Sequence, residues 1–174
     1  MKLFALPSLA GLSLIALAGC ADDSNLPPMF CPQVAVLQQA GTLTAFVPGK
    51  TDVASQITTA QITGVAGACV LQSKKHLLNV NFQAGFSATN GPANNGKPLT
   101  LPYFVALTRG DHIISKTDYT ITLTFDGNAS TAQATTKPVK IEVSNDHASA
   151  HVEVLIGFEL TPEQISYAAA HAAH

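Results

Sequence analysis

Tryptophan is missing from this chain, and arginine occurs once, at Arg109. Charged residues make up 11% of the 174 positions, nine basic against eleven acidic, and each scarcity closes off a class of function. One arginine and scattered lysines cannot line a phosphate track, which excludes a nucleic-acid surface. The same arithmetic argues against a polybasic membrane patch. No GxSxG elbow, SxxK, HExxH, P-loop or helix-opening GxGxxG is present, so the common hydrolase and nucleotide sites lack their residues. The carboxylates do not cluster as paired acids either. Asp118, Asp126 and Asp146 each stand beside a turn or strand end, where solvation and local hydrogen bonding account for them. The balance leans away from an enzyme.

What is present, first, is a leader. Met1 and Lys2 form a short positive start, residues 9–18 an apolar stretch, and Ala18 and Gly19 the small residues that precede a signal-peptidase cut. The apolar stretch is shorter than the roughly 20 residues of a spanning helix, and Ala21-Asp22-Asp23-Ser24-Asn25 behind it turns polar. Leu17-Ala18-Gly19-Cys20 resembles a bacterial lipobox. The resemblance implies a signal peptide over 1–19 and a Cys20 carrying a diacylglycerol and an N-acyl chain, which together anchor far more firmly than one chain. Ala21 in place of an aspartate after that cysteine implies the periplasmic face of the outer membrane. The alternatives are an uncleaved helix and an ordinary secretory signal in which Cys20 is incidental.

Removal of 1–19 leaves 155 residues with eight basic against eleven acidic, a formal charge of −3. That length suits one domain, placed at 30–167, with a tail at 168–174. Residues 20–29 contain Asp22, Asp23, Pro27 and Pro28 and read as a lipidated tether. At full extension residues 21–28 reach about 25 Å. The two remaining cysteines, Cys31 and Cys69, form an even pair in a compartment that permits disulfides. A bridge between them closes a loop of about 39 residues and contributes about 4 kcal/mol on chain-entropy grounds. Two buried reduced thiols are the alternative, and no CxxC spacing or adjacent histidine supports a metal at the pair.

The body of the chain alternates apolar and polar residues at period two. Leu78, Val80, Phe82, Ala84 and Phe86 are the clearest run, followed by 119–125, 139–143 and 151–158. Shorter strands are expected at 34–36, 42–47 and 55–65, with a bulge or bend at Gly64 or Gly67. Residues 101–108 are apolar on both faces and read as an inner strand. Arg109-Gly110-Asp111 is a hairpin turn before it is an adhesion motif, and residues 90–98 form a long Asn/Gly/Pro loop. A polar, threonine-rich connection is expected before Lys137-Pro138. Thr161-Pro162-Glu163-Gln164 has the N-cap, first-position proline and capping-box glutamine of a helix running to about Ala170. Seven or eight short strands with little helix predict an all-β antiparallel sandwich, immunoglobulin-like or fibronectin-like, with a short C-terminal helix, and a small barrel is the alternative. Its core is expected to hold Leu78, Val80, Phe82, Phe86, Ile121, Leu123, Phe125, Val152, Val154 and Ile156.

Cys31-Pro32-Gln33-Val34-Ala35-Val36-Leu37, Cys69, Leu101-Pro102-Tyr103-Phe104-Val105-Ala106, Ser115-Lys116 and Ile156-Gly157-Phe158-Glu159-Leu160-Thr161-Pro162-Glu163 together resemble a family of uncharacterised alphaproteobacterial lipoproteins. The resemblance implies an envelope location and no known reaction. The function expected is therefore that of a lipid-anchored, non-catalytic binding or scaffolding module, held to the membrane through Cys20, with an envelope partner, no cofactor and no nucleic acid. Its recognition surfaces are expected on the 90–98 loop and the face around Tyr103. The alternative is a periplasmic metal-binding protein or enzyme using the late histidines. His147 and His151 lie four apart, His171 and His174 three apart, and a folded-back tail would bring imidazoles together.

Overall fold

A computed structural model describes residues 29–171. The expected signal peptide, Cys20, the tether as far as residue 28, and His174 lie outside the described residues. Within them the period-two runs become nine strands: β1 Gln33–Val36, β2 Thr42–Phe46, β3 Gln56–Gln72, β4 Leu77–Thr89, β5 Leu99–Arg109, β6 His112–Leu123, β7 Thr131–Thr135, β8 Val139–Ser144 and β9 Val152–Phe158. One helix, α1 Pro162–Ala170, closes the chain.

The strands form two sheets. One has the order β1-β9-β5-β6, with β1 parallel to β9 and the other pairs antiparallel. The second has β2-β3-β4 in order, and the far edge of β4 is shared by β7 and β8. β4 is its spine, because its alternation buries Leu78, Val80, Phe82, Ala84, Phe86 and Ala88 while leaving a polar outer face. Phe86 meets Tyr103 of β5 and Phe158 of β9, with ring centroids 5.1 and 5.6 Å away. Those tilted contacts across the interior make the two sheets one sandwich around one core. Of the expected core residues all are buried except Ile121, which is half-buried and packed against the others.

Three elements differ from the sequence expectation. β3 runs unbroken for 17 residues, and the bulge expected at Gly64 is present as a register shift between Ile62 and Gly64. β6 begins at His112, seven residues earlier than its clean alternation, because pairing with β5 carries it through an exposed stretch. The threonine-rich connection contains β7, which pairs with Gly85–Thr89 of β4. Backbone pairing there outweighs the weak apolar pattern of Thr131–Thr135.

The molecule has two distinct ends. At one end lie the start of β1, the β3–β4 turn, the β5–β6 turn and the β8–β9 connection. At the other lie the loops 47–55, 90–98 and 124–130. β4 runs from the first to the second, a span of about 40 Å for a strand of this length.

Candidate functional site

The chain enters the described structure at the first end and is fastened there at once. Cys31 is disulfide-bonded to Cys69 of β3, with Cα atoms 6.1 Å apart, so a residue leading into one sheet is tied to the other. Phe30 N–H donates to Asn145 Oδ1 at 3.1 Å, and its ring lies 4.6 Å from that of His147. Asn145 in turn donates its N–H to His76 O, linking the β8–β9 connection to the β3–β4 turn. Asp146 caps a 3-10 helix, His147–His151, in place of the expected plain turn. Its carboxylate accepts from Ser149 N and Ser149 Oγ, both at 2.9 Å, and Ser149 Oγ also reaches Ser144 O. These hydrogen bonds hold the Asp146 carboxyl below the ordinary aspartate value, with a smaller contribution from the Arg109 charge.

The expected metal candidates do not gather: two stand at the ends of one 3-10 helix and a third follows α1. His147 packs on Phe30, His151 ends the 3-10 helix, and His171 follows α1, stacked 4.0 Å from Tyr167 with Nδ1 2.8 Å from Tyr167 O. Three residues per turn in the 3-10 helix also place His147 and His151 off a common face. Among the described residues no three His, Cys, Asp or Glu side chains gather as a metal site.

The second end carries the expected recognition loop. Residues 90–98 hold themselves in shape: Asn90 Oδ1 accepts from Asn94 Nδ2 at 2.9 Å and Gly96 N at 3.1 Å, and buried Asn94 also donates to Lys97 O at 2.8 Å. Gly91 N and Ala93 N donate to Ile57 O and Gln56 O, seating the loop on β3. A Cβ at Gly91 would collide with those carbonyls, so only glycine permits the approach. Asn95 and Gly96 take the positive φ values of 54° and 73° that complete the turn. The loop meets the 126–128 turn around an open hollow of about 380 Å³ whose rim carries Asn90, Asn95 and Asn128. Asn128 joins the loop through this juxtaposition.

Tyr103 does not offer an exposed face. It is 4% exposed, points into the sandwich and stacks on Tyr119 at 5.3 Å, and burial, followed by the proximity of Tyr119, raises its phenol pKa. The even–odd phase of β5 turns Tyr103 inward and Phe104 outward. On that outer face Phe104 covers Gly157 of β9, whose absent Cβ would meet Phe104 Cζ at 2.8 Å and Ala40 Cβ at 2.7 Å. Lys116 lies 5.0 Å over the Phe104 ring and bonds Glu159 at 2.6 Å and Asp118 at 3.2 Å. Pairing with Glu159 first, then Asp118, raises the Lys116 pKa. The quoted motifs around Phe104, Lys116, Gly157 and Glu159 thus converge on one clasp, which joins edge strand β6 to β9 across β5.

α1 begins with the expected capping box, Thr161 Oγ1 accepting from Gln164 N and Gln164 Oε1 from Thr161 N. It docks beside β2 through an edge-on contact of Tyr167 with Phe46 at 4.9 Å, and none of its residues is buried. Open grooves of about 380, 500 and 550 Å³ flank it, and Tyr167 lines all three. Among the described residues no helix is long and apolar enough to cross a membrane. No family model, no curated protein and no solved structure matches this chain.

Proposed function

We propose that this protein is a lipid-anchored module of the cell envelope, held to the periplasmic face of the outer membrane through Cys20, which binds or scaffolds an envelope partner without catalysing a reaction. The observation that carries the reading is the polarity of the fold. The chain that follows the lipobox-like Leu17-Ala18-Gly19-Cys20 enters at one end, and the self-bonded, amide-rimmed loops 90–98 and 124–130 stand at the other, about 40 Å away. A rigid sandwich presenting structured loops away from its anchor is an arrangement suited to recognition. The exposed amides of Asn95 and Asn128 offer donors and acceptors without net charge.

The test has two arms. Cys20→Ser should block processing, so that precursor accumulates with its leader attached, and a chain beginning at Ala21 behind an ordinary secretory signal should be released in soluble form. A photo-crosslinking residue at Asn95 or Asn128 should capture an envelope component in cells, whereas one at Lys140, on the flank of the second sheet, should not. Mature protein from Cys20→Ser that still fractionates with membranes refutes the anchor. Equal capture from all three positions refutes the assignment of the recognition end.

A further inference from the structure

Among the described residues, no charged side chain and no aromatic ring lines the hollow between the 90–98 loop and the 126–128 turn. Lys97 and Asp126 flank it, one of each sign, and neither lines it. Its two walls are fastened together, because Asn90 N–H donates to Ser130 O at 2.8 Å. The Asn90 amide is also set in advance: Oδ1 accepts from Asn94 Nδ2 and from Gly96 N, which fixes the plane and the sense of the group. Its Nδ2 bonds nothing among the described residues and is not sealed from solvent, so it stands ready to donate into the space that the side chain lines. A Cβ at Gly96 would come within 4.0 Å of that Nδ2, and one at Gly127 would meet nothing within 4 Å, so both glycines leave room beside the amides. The exposed Asn128 side chain has no hydrogen bond among the described residues, and Asn95 has only a long one, from Nδ2 to Ala93 O at 3.4 Å.

We infer that this hollow binds an uncharged carbohydrate, with the Asn90 and Asn128 amides exchanging hydrogen bonds with ring hydroxyls, an inference that rests on the reading of this end as the recognition end. An ionic ligand finds no counter-charge in the lining. A protein partner is held chiefly by aromatic and arginine side chains packed in desolvated pockets, and the only ring the lining offers is that of Pro92. A sugar needs neither. Each of its hydroxyls both donates and accepts, and a free asparagine amide answers a neighbouring pair of them with one N–H and one C=O. The volume of about 380 Å³ lies within the range of small-molecule sites, and the open mouth admits an inner unit of a glycan as well as its end. Because the walls are tied and the Asn90 amide is held, little is left to order when the ligand arrives.

The test is a magnetic-resonance titration of the isotope-labelled full chain, expressed with its leader and purified as the cell processes it. The probes are N-acetylated chitotetraose and maltotetraose, with end-blocked tetra-alanine as the peptide control. At least one of the two sugars should shift the side-chain amide signals of Asn90, Asn95 and Asn128 saturably, while tetra-alanine leaves them in place. Asn90→Asp keeps an acceptor oxygen for Asn94 and Gly96 but removes the donor, so it should keep the parent melting temperature and weaken sugar binding about fivefold, the worth of one hydrogen bond. Asn128→Ala, in an exposed turn with no hydrogen bond to lose among the described residues, should weaken it by about the same factor, and it serves even where Asn90→Asp disturbs the loop. No saturable shift with either sugar, equal shifts with tetra-alanine, saturation that leaves these three amides unmoved, or an affinity that Asn128→Ala does not change overturns the carbohydrate assignment. The recognition end is judged separately by the crosslinks from Asn95, Asn128 and Lys140, which do not depend on the class of ligand.

Discussion

At the scale of single residues, two aspartates serve the fold in the same way, and both respond to acid. Asp52 caps the 3-10 helix Val53–Ser55 by accepting from Ser55 N at 3.1 Å, and Asp146 caps His147–His151 through Ser149. The carboxyls of both lie below their ordinary value of 3.8, Asp52 through the Ser55 hydrogen bond first and Asp146 through Ser149. A depressed folded-state value means that the unfolded chain binds protons more readily. The stabilisation is therefore complete above the unfolded value and is lost as pH falls through the folded one. The melting temperature should drop on acidification from about pH 5 downward. Asn caps as well as Asp but does not titrate, so Asp52→Asn with Asp146→Asn should keep the neutral-pH melting temperature while flattening the acid slope. A parallel slope in the double variant would assign the acid response elsewhere.

At the scale of elements, the same physics separates what binds the chain together from what rests upon it. Phe86 is 1% exposed and touches both Tyr103 and Phe158, so Phe86→Ala should cost about 3 to 5 kcal/mol in a denaturant titration. α1 buries none of its residues and leans on β2 through Tyr167. Tyr167→Ala should therefore cost less than about 1.5 kcal/mol, the upper range of an aromatic pair beyond its area burial. The α1 amides should exchange far faster than those of β4. Slow exchange throughout α1 would show that the helix belongs to the cooperative core.

These two elements also show what was legible from the sequence. β4 and α1 each carry a complete local signal, strict alternation in one and a capping box in the other. β7 carries almost none, since Thr131–Thr135 owes its strand to the free edge of β4, whose paired residues run from Thr89 opposite Thr131 to Gly85 opposite Thr135, far away in sequence. Tyr103 failed for a related reason. In a strand apolar on both faces, the phase that decides which side points inward is set by the neighbouring strands and not by the strand itself. The far loop was recognisable from its Asn, Gly and Pro content, but Asn128 joins it only through the second sheet's return.

At the scale of the whole molecule, the Cys31–Cys69 disulfide ties the residue that leads into β1 to β3 of the other sheet, and on the proposed anchoring through Cys20 it is where a load from the membrane would enter the fold. β1 is an edge strand of four residues, paired among the described residues only with β9, and under the proposed anchoring any pull would be applied at its start. Hydrogen bonds of so short a strand resist such a load one after another, and a frayed β1 would expose Val34 and Val36, both packed against the core. The bridge passes the load instead to β3, whose 17 residues pair with β2 and β4. With 38 positions between the two cysteines, removing the crosslink should lower stability by about 4 kcal/mol through the freedom returned to the unfolded chain. Cys31→Ser with Cys69→Ser should thus melt well below the parent, whereas Cys20→Ser in a soluble form should melt with it. Exchange in the double variant should rise first at β1 and Phe30, because the fastening around Asn145 and His147 then loses the covalent link beside it. If the double variant melts within a degree or two of the parent, the sheets are held together by their shared core alone and the bridge adds nothing to the fold.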